Sequence, residues 1–181
     1  MNKFGFLSGI FTIILVLLQF IPLGLNFGVE GVSSIWLLNY FGVSNPVLSS
    51  FVKFPLEIVS YGDKQIYLWG MINGDELYLW FEINITAFIF LFVISIFIAI
   101  FSIIGSKKEN STGKKLTTFS FIAYIIIILY LIIGIPIYSQ EILGIQFGYF
   151  DIFLYLNYGF YFLILNCILA LIALLKHPLK E

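Results

Sequence analysis

Residues 83–104 read INITAFIFLFVISIFIAIFSII, with no acidic, basic or histidine side chain among them. A helix needs about 20 mostly apolar residues to cross the hydrocarbon core of a bilayer, so this stretch predicts a transmembrane helix. Three more stretches match it: residues 4–25, 116–138 and 152–175. None of them has Lys, Asp or Glu in its interior. Pro22 and Pro136 fall near span ends, where a missing backbone donor costs little.

The whole chain agrees with its central stretch. It has 181 residues, of which 61% are hydrophobic and 10% charged. A soluble domain is about 45–50% apolar and about 25% charged, and a soluble fold of this size cannot hide the excess. The expectation is an all-α integral membrane protein, a four-transmembrane-helix bundle forming a single membrane domain over residues 1–181. A disordered chain, a nucleic-acid binder and a small disulfide-stapled secreted domain are excluded. Lys3 before the first apolar run imitates a signal peptide. However, the run is too long for an h-region, and Ile21-Pro22-Leu23-Gly24-Leu25 is no small-residue cleavage site, so a retained anchor is expected.

Lysines set the expected orientation. All nine basic residues are Lys. Lys107, Lys108, Lys114 and Lys115 lie between spans two and three, Lys3 before span one, and Lys176 and Lys180 after span four. Acidic residues gather on the other side, with Glu30, Glu57, Asp63, Asp75, Glu76 and Glu82 in the first loop and Glu141 and Asp151 in the third. Lysine-rich loops stay cytoplasmic. Both termini are therefore expected in the cytoplasm and loops one and three outside, in the cell membrane.

Residues 26–82 make the long outer loop. Ser33-Ser34 before Ile35-Trp36-Leu37-Leu38 reads as a helix start and Gly42 as its stop. Asn45-Pro46 opens a second short helical segment, ending near Pro55. Asn73-Gly74, between 65–72 and 75–81, is a strong turn signal and predicts a β-hairpin over 65–81. With Asn73-Gly74 as a two-residue turn, Ile72 opposes Asp75. One face then carries Ile66, Leu68, Gly70, Leu77, Leu79 and Phe81. The other carries Tyr67, Trp69, Met71, Glu76, Tyr78 and Trp80. Tyr67, Trp69, Tyr78 and Trp80, with Trp36, are the candidate partner-interface residues, because Trp and Tyr are favoured anchors; an interfacial aromatic belt explains the same residues.

The chain is sparse in reactive groups. His177 is the single histidine and Cys167 the single cysteine. No His, Cys and carboxylate cluster has metal-ligand spacing, no Gly-rich phosphate loop is present, and no nucleophile has a local base. The expectation is no catalytic, cofactor-binding or metal residues. Gln19, Asn84, Thr86, Ser95, Ser102, Ser120, Asn157 and Asn166 are expected to form interhelical hydrogen bonds. Spans two and three show Ile and Phe all round, without a seam of small residues. Asn84-Ile85-Thr86 and Asn110-Ser111-Thr112 match the glycosylation pattern by chance.

The order of short N-terminus, span, long outer loop with a hairpin, span, short inner loop, span, small outer loop and last span resembles the claudin-like tetraspans in topology. That family's outer-loop signature ends in two cysteines after a Trp and a Gly-Leu-Trp. This chain has Trp36 and Leu68-Trp69-Gly70 but no loop cysteine. Three functions follow as expectations. The first is a small non-catalytic integral subunit that positions partners in a larger membrane complex, for example an energy-converting one. The second is a self-associating envelope or adhesion protein. The third is a transporter or enzyme component holding a lipophilic molecule such as a quinone. The expected partners are the lipid bilayer and other integral membrane subunits, not nucleic acid.

Overall fold

A computed structural model describes residues 1–19, 56–62, 64–73, 76–148 and 150–178. The expected helical segments between Ser33 and Pro55, and Trp36 with them, lie outside the described residues. So does the end of the first expected span, beyond Gln19.

Three helices are long and apolar enough to cross a membrane: α3, Ile85–Lys107; α4, Ser111–Leu143; and α5, Tyr158–Leu175. A shorter apolar helix, α1, covers Lys3–Gln19. Asparagine starts each of the long helices. Asn84 Oδ1 accepts from the N–H groups of Thr86 and Ala87, both at 3.0 Å. Asn110 Oδ1 accepts from Gly113 N at 3.0 Å, and Asn157 Oδ1 from Tyr158 N at 2.8 Å. A helix leaves its first N–H groups without intrahelical partners, and an Asn side chain supplies one. Asn84 and Asn157 are therefore caps rather than interhelical links, and both N-x-S/T patterns begin at capping residues.

Both long central helices contain a wider π-type turn, Phe88–Val93 in α3 and Tyr130–Gly134 in α4. The second ends two residues before Pro136. Proline has no N–H and its ring clashes with the carbonyl four residues back. A widened turn accommodates both, and α4 continues to Leu143, where left-handed Gly144 (φ 73°) closes it.

Helix α1 packs beside α3 and α5, and α4 packs beside the same two. The buried faces use small side chains. They include Gly5, Ser8, Gly9 and Thr12 of α1, Ser95, Ala99, Ser102 and Gly105 of α3, Gly113, Thr117 and Ser120 of α4, and Gly159, Ala170 and Ala173 of α5. Small residues let helix backbones approach closely where hydrophobic exclusion from water gives no drive. This corrects the expectation that spans two and three lack such a seam. Leu15, Leu91, Ile98, Tyr124, Ile127 and Leu163 are buried beside the small residues, while other large side chains, such as Ile96, Phe97, Ile122 and Leu165, are exposed around the outside.

The helices have two distinct ends. At the lysine end, Asn2 ties α1 to its neighbours: its N–H donates to Ser106 O at 2.7 Å and its Nδ2 to Ala173 O at 2.5 Å. At the other end sits an antiparallel sheet of four strands in the order β1 (Val59–Tyr61), β2 (Lys64–Ile66), β3 (Gly70–Asn73) and β4 (Glu76–Leu79). The short helix α2, Trp80–Ile83, links β4 to α3.

The sheet corrects the expected hairpin in three ways. Residues 65–72 are not one strand: Ile66 pairs with Met71, and Tyr67 N donates to Gly70 O at 2.8 Å, so the chain reverses at Leu68 and Trp69. Across the next turn Asn73 pairs with Glu76 and Ile72 with Leu77, two places from the expected register. Between β3 and β4 a shift of two preserves the faces, because side chains alternate with period two. The reversal at Leu68 and Trp69 mixes them: Ile66 and Leu68 fall with Met71 and Tyr78, and Tyr67 and Trp69 with Ile72 and Leu79. The second strand also stops earlier, at Leu79, and Trp80 begins a helical turn.

Candidate functional site

Trp36 lies outside the described residues; the other four of the five expected site residues, Tyr67, Trp69, Tyr78 and Trp80, lie in or beside the sheet where it meets the helices, and Gln19 is the centre of that junction. Its side chain is fully buried. Oε1 accepts from Leu68 N at 2.8 Å and Nε2 donates to Leu56 O at 2.9 Å. Its backbone carbonyl accepts from the Trp69 indole at 2.6 Å. Trp80 closes the same turn: its indole donates to Tyr67 O at 2.9 Å and its N–H to Trp69 O at 3.2 Å. The Leu68-Trp69 turn is apolar because it is buried against Gln19 of α1 rather than being a solvent loop.

This placement corrects the expected exposed aromatic face. Tyr67 is 4% exposed, Trp69 3% and Trp80 0%. Tyr67 and Trp69 stack on each other, with ring centroids 5.1 Å apart. They pack with Ile72, Leu79 and Phe92 on one side of the sheet. Met71 and Trp80 join the main core, and Tyr78 is half-buried against it. The four aromatic residues thus divide into two pairs, and Tyr67, Trp69 and Trp80 bury their surfaces against their own chain.

A buried carboxyl group lies beside this junction. Glu57 Oε1 accepts from Asn157 Nδ2 at 2.8 Å, and Glu57 O accepts from Gly159 N at 3.2 Å. Asn157 N donates in turn to Ile58 O at 2.9 Å. Glu57 thus docks the segment before β1 onto the positive end of the α5 dipole. Burial holds its carboxyl above the usual carboxylate range, opposed by a hydrogen bond from its own backbone. Burial also raises the Tyr67 phenol, with the Glu57 charge adding to the effect. A Cβ on Gly159 would lie 2.2 Å from Leu56 O, so only glycine allows this approach. Glu57 carried no distinguishing signal in the sequence, since nothing in a loop carboxylate's neighbours announces burial.

A second polar group lies between the helices. Ser8 and Thr12 of α1 and Tyr124 of α4 share a hydroxyl cluster: Ser8 Oγ and Tyr124 OH are 3.1 Å apart, and Thr12 Oγ1 bonds the same phenol. Ser8 Oγ also donates to the backbone carbonyl of Asn166 at 3.2 Å. All four residues are fully buried. The amide of Asn166 has no hydrogen-bond partner at either atom.

Among the described residues, no group of three or more His, Cys, Asp or Glu could hold a metal ion. Glu82 is exposed, and Asp151 is occupied with the N–H of Gly148 at 2.7 Å. A groove of about 290 Å³ opens between α1 and α3, walled by Ile13, Leu17, Ser95, Ala99 and Ile103 among others. Ser95 turns its hydroxyl onto Leu91 O, so the groove presents an apolar lining. This arrangement offers hydrophobic contact and fixed hydrogen bonds. No protein-family model, curated protein or solved structure matches the chain.

Proposed function

We propose that the chain is a four-span integral membrane subunit without catalytic chemistry of its own, which positions partner helices in a larger assembly of the cell membrane. In this reading α1 is the first span, the lysine end faces the cytoplasm and the sheet lies outside. The observation that supports it is where the polar side chains go. Gln19, Asn84, Asn157, Ser139 and the Ser8–Thr12–Tyr124 cluster all bind groups of their own chain. Between the two ends, the outward surface is built from Ile, Phe and Leu. Such a surface fits lipid and neighbouring apolar helices.

The test is extraction from native membranes in mild detergent, followed by measurement of the intact mass. A mass well above 20.7 kDa, with partner subunits in fixed ratio, is the expected result. A lone chain overturns the proposal, and so does a homo-oligomer, which favours a self-associating tetraspan. A second reading has the α1–α3 groove behind it. An apolar recess near 290 Å³ lies at the lower edge of the range that encloses a small ligand, about 300–1,000 Å³. Retention of a lipophilic molecule by the purified chain, lost on Ala99→Phe, would favour that reading.

A further inference from the structure

We propose that the connection between α4 and α5 is seated in the headgroup region of the bilayer, with Phe150, Phe153 and Leu154 as its inserting side chains. This rests on α5 crossing the membrane and is independent of the subunit reading.

One side of the connection is fixed to the protein. Ser60 N donates to Tyr155 O at 3.0 Å, and Leu156 bridges to Val59. The Tyr155 ring stacks on Phe147 at 5.3 Å and meets Tyr61 edge-on at 5.0 Å. Ile152 is fully buried. Asp151 caps the turn through Gly148 N, so its carboxylate is engaged locally. The opposite side makes no such contacts among the described residues. Phe150 is 82% exposed, Leu154 77% and Phe153 48%. The short 3₁₀ turn Asp151–Leu154 therefore buries one apolar side chain and presents its neighbours outward.

Two observations identify the bilayer as what covers them. The first is continuity. The membrane-length helix α5 begins at Tyr158. Even a fully extended chain spans at most about 3.6 Å per residue, so Leu154 stays close to the point where α5 enters the hydrocarbon. The second is composition. Between Leu143 and Lys176, Asp151 is the only charged side chain in the sequence. Tyr158 and Tyr161, both exposed, begin the helix beside these residues. Tyrosines with apolar neighbours and almost no charge match the membrane–water boundary. A face for another protein has a polar rim; here the one charged side chain, exposed Asp151, accepts from Gly148 N through one oxygen.

Spin labels at Leu154→Cys and Phe150→Cys, each in a Cys167→Ser background and in phosphatidylcholine nanodiscs, test this. Lipid-soluble oxygen is expected to relax both labels several-fold more effectively than a water-soluble nickel chelate. At Glu141→Cys, on the exposed polar end of α4, the order should reverse. Relaxation dominated by the chelate at 150 and 154 means a solvated turn and overturns the proposal. Protection from both reagents means a second copy or another protein covers the turn, and overturns it too. Should the Cys167→Ser background fail to fold, Phe150→Trp with the native cysteine is reconstituted in brominated phosphatidylcholine. Quenching above the wild-type baseline is expected there, and none above it counts against insertion.

Discussion

The indole Nε1 of Trp69 donates to the backbone carbonyl of Gln19 across 2.6 Å. Gln19 is the last described residue of α1. The Trp69 side chain thus ties α1 to the sheet through a backbone carbonyl. The Gln19 side chain returns two further bonds, to Leu68 N and Leu56 O. Substituting Gln19→Ala leaves a buried donor and acceptor unpaired, each costing about 1–3 kcal/mol. A loss of stability of roughly 2–5 kcal/mol is expected on that basis. Denaturant unfolding in detergent micelles measures it, and a change below about 0.5 kcal/mol, the usual surface-substitution range, would mean that Gln19 does not hold the junction.

Trp69→Ala and Trp80→Ala should act on folding. Replacing a buried Trp by Ala typically costs about 3–5 kcal/mol. Tyr78→Phe, at a half-buried position, should stay within about 1 kcal/mol, since it removes no ring contacts. Protease resistance of the region 56–83 separates the two groups. A Trp80→Ala protein as resistant as the wild type would return Trp80 to the role of a surface anchor.

Gly159→Ala tests the approach of the segment before β1 to α5. The new methyl would meet Leu56 O at 2.2 Å and Glu57 O at 2.9 Å, both backbone atoms. Overpacking of this kind costs about 1–3 kcal/mol. The expected signature is faster hydrogen exchange at Asn157 N and Ile58 N, with the exchange of mid-helix amides in α3 unchanged. Uniformly faster exchange would instead indicate global destabilisation.

Glu57 ties stability to pH. Its carboxyl sits above the ordinary value of 4.5 in the folded chain because burial disfavours the anion. The folded state therefore holds its proton more tightly than the unfolded one. The stabilisation is fully present below 4.5 and is lost as the pH rises through the folded value. Glu57→Gln keeps an acceptor for Asn157 Nδ2 and removes the titration. The wild-type melting temperature, relative to Glu57→Gln, should fall as the pH is raised from 4 to 8. Parallel curves would show that the carboxyl is as well solvated folded as unfolded.

The apolar helices were legible because length and composition decide them: a run such as 83–104 has no soluble alternative at this hydropathy. The turn at Asn73 was legible in kind, but its register was not, since the Gly70 backbone approaches the Tyr78 carbonyl too closely for any side chain and nothing local reports that. The direction of the aromatic residues was hidden for a related reason. A tryptophan in a predicted strand looks the same whether its partner is another protein or Gln19 of α1, and here that partner lies 50 positions away. The small-residue faces of α3 and α4 were concealed by the Ile and Phe between them. Read at helical spacing, Ser95, Ala99, Ser102 and Ser106 fall on one side.

Asn166 is the sharpest conflict left in the helical core. It lies on the buried face of α5, between Leu163 and Ala170, yet its amide bonds nothing while the neighbouring hydroxyls bond one another. An unpaired buried amide costs roughly 1–3 kcal/mol by mutational measures. Leucine has the same branching and the same number of side-chain heavy atoms, in a bulkier side chain, and no such requirement. Asn166→Leu should therefore be neutral or stabilising by up to about 3 kcal/mol. Tyr124→Phe, which withdraws the phenol from Ser8 and Thr12, should destabilise by about 0.6–1.7 kcal/mol, the range found for hydrogen bonds between membrane helices. Unfolding of both variants in the same micelles decides the matter. A marked loss on Asn166→Leu would mean that the amide has a partner in the membrane, and would move the search for this protein's activity from its surface to the Ser8–Thr12–Tyr124–Asn166 layer.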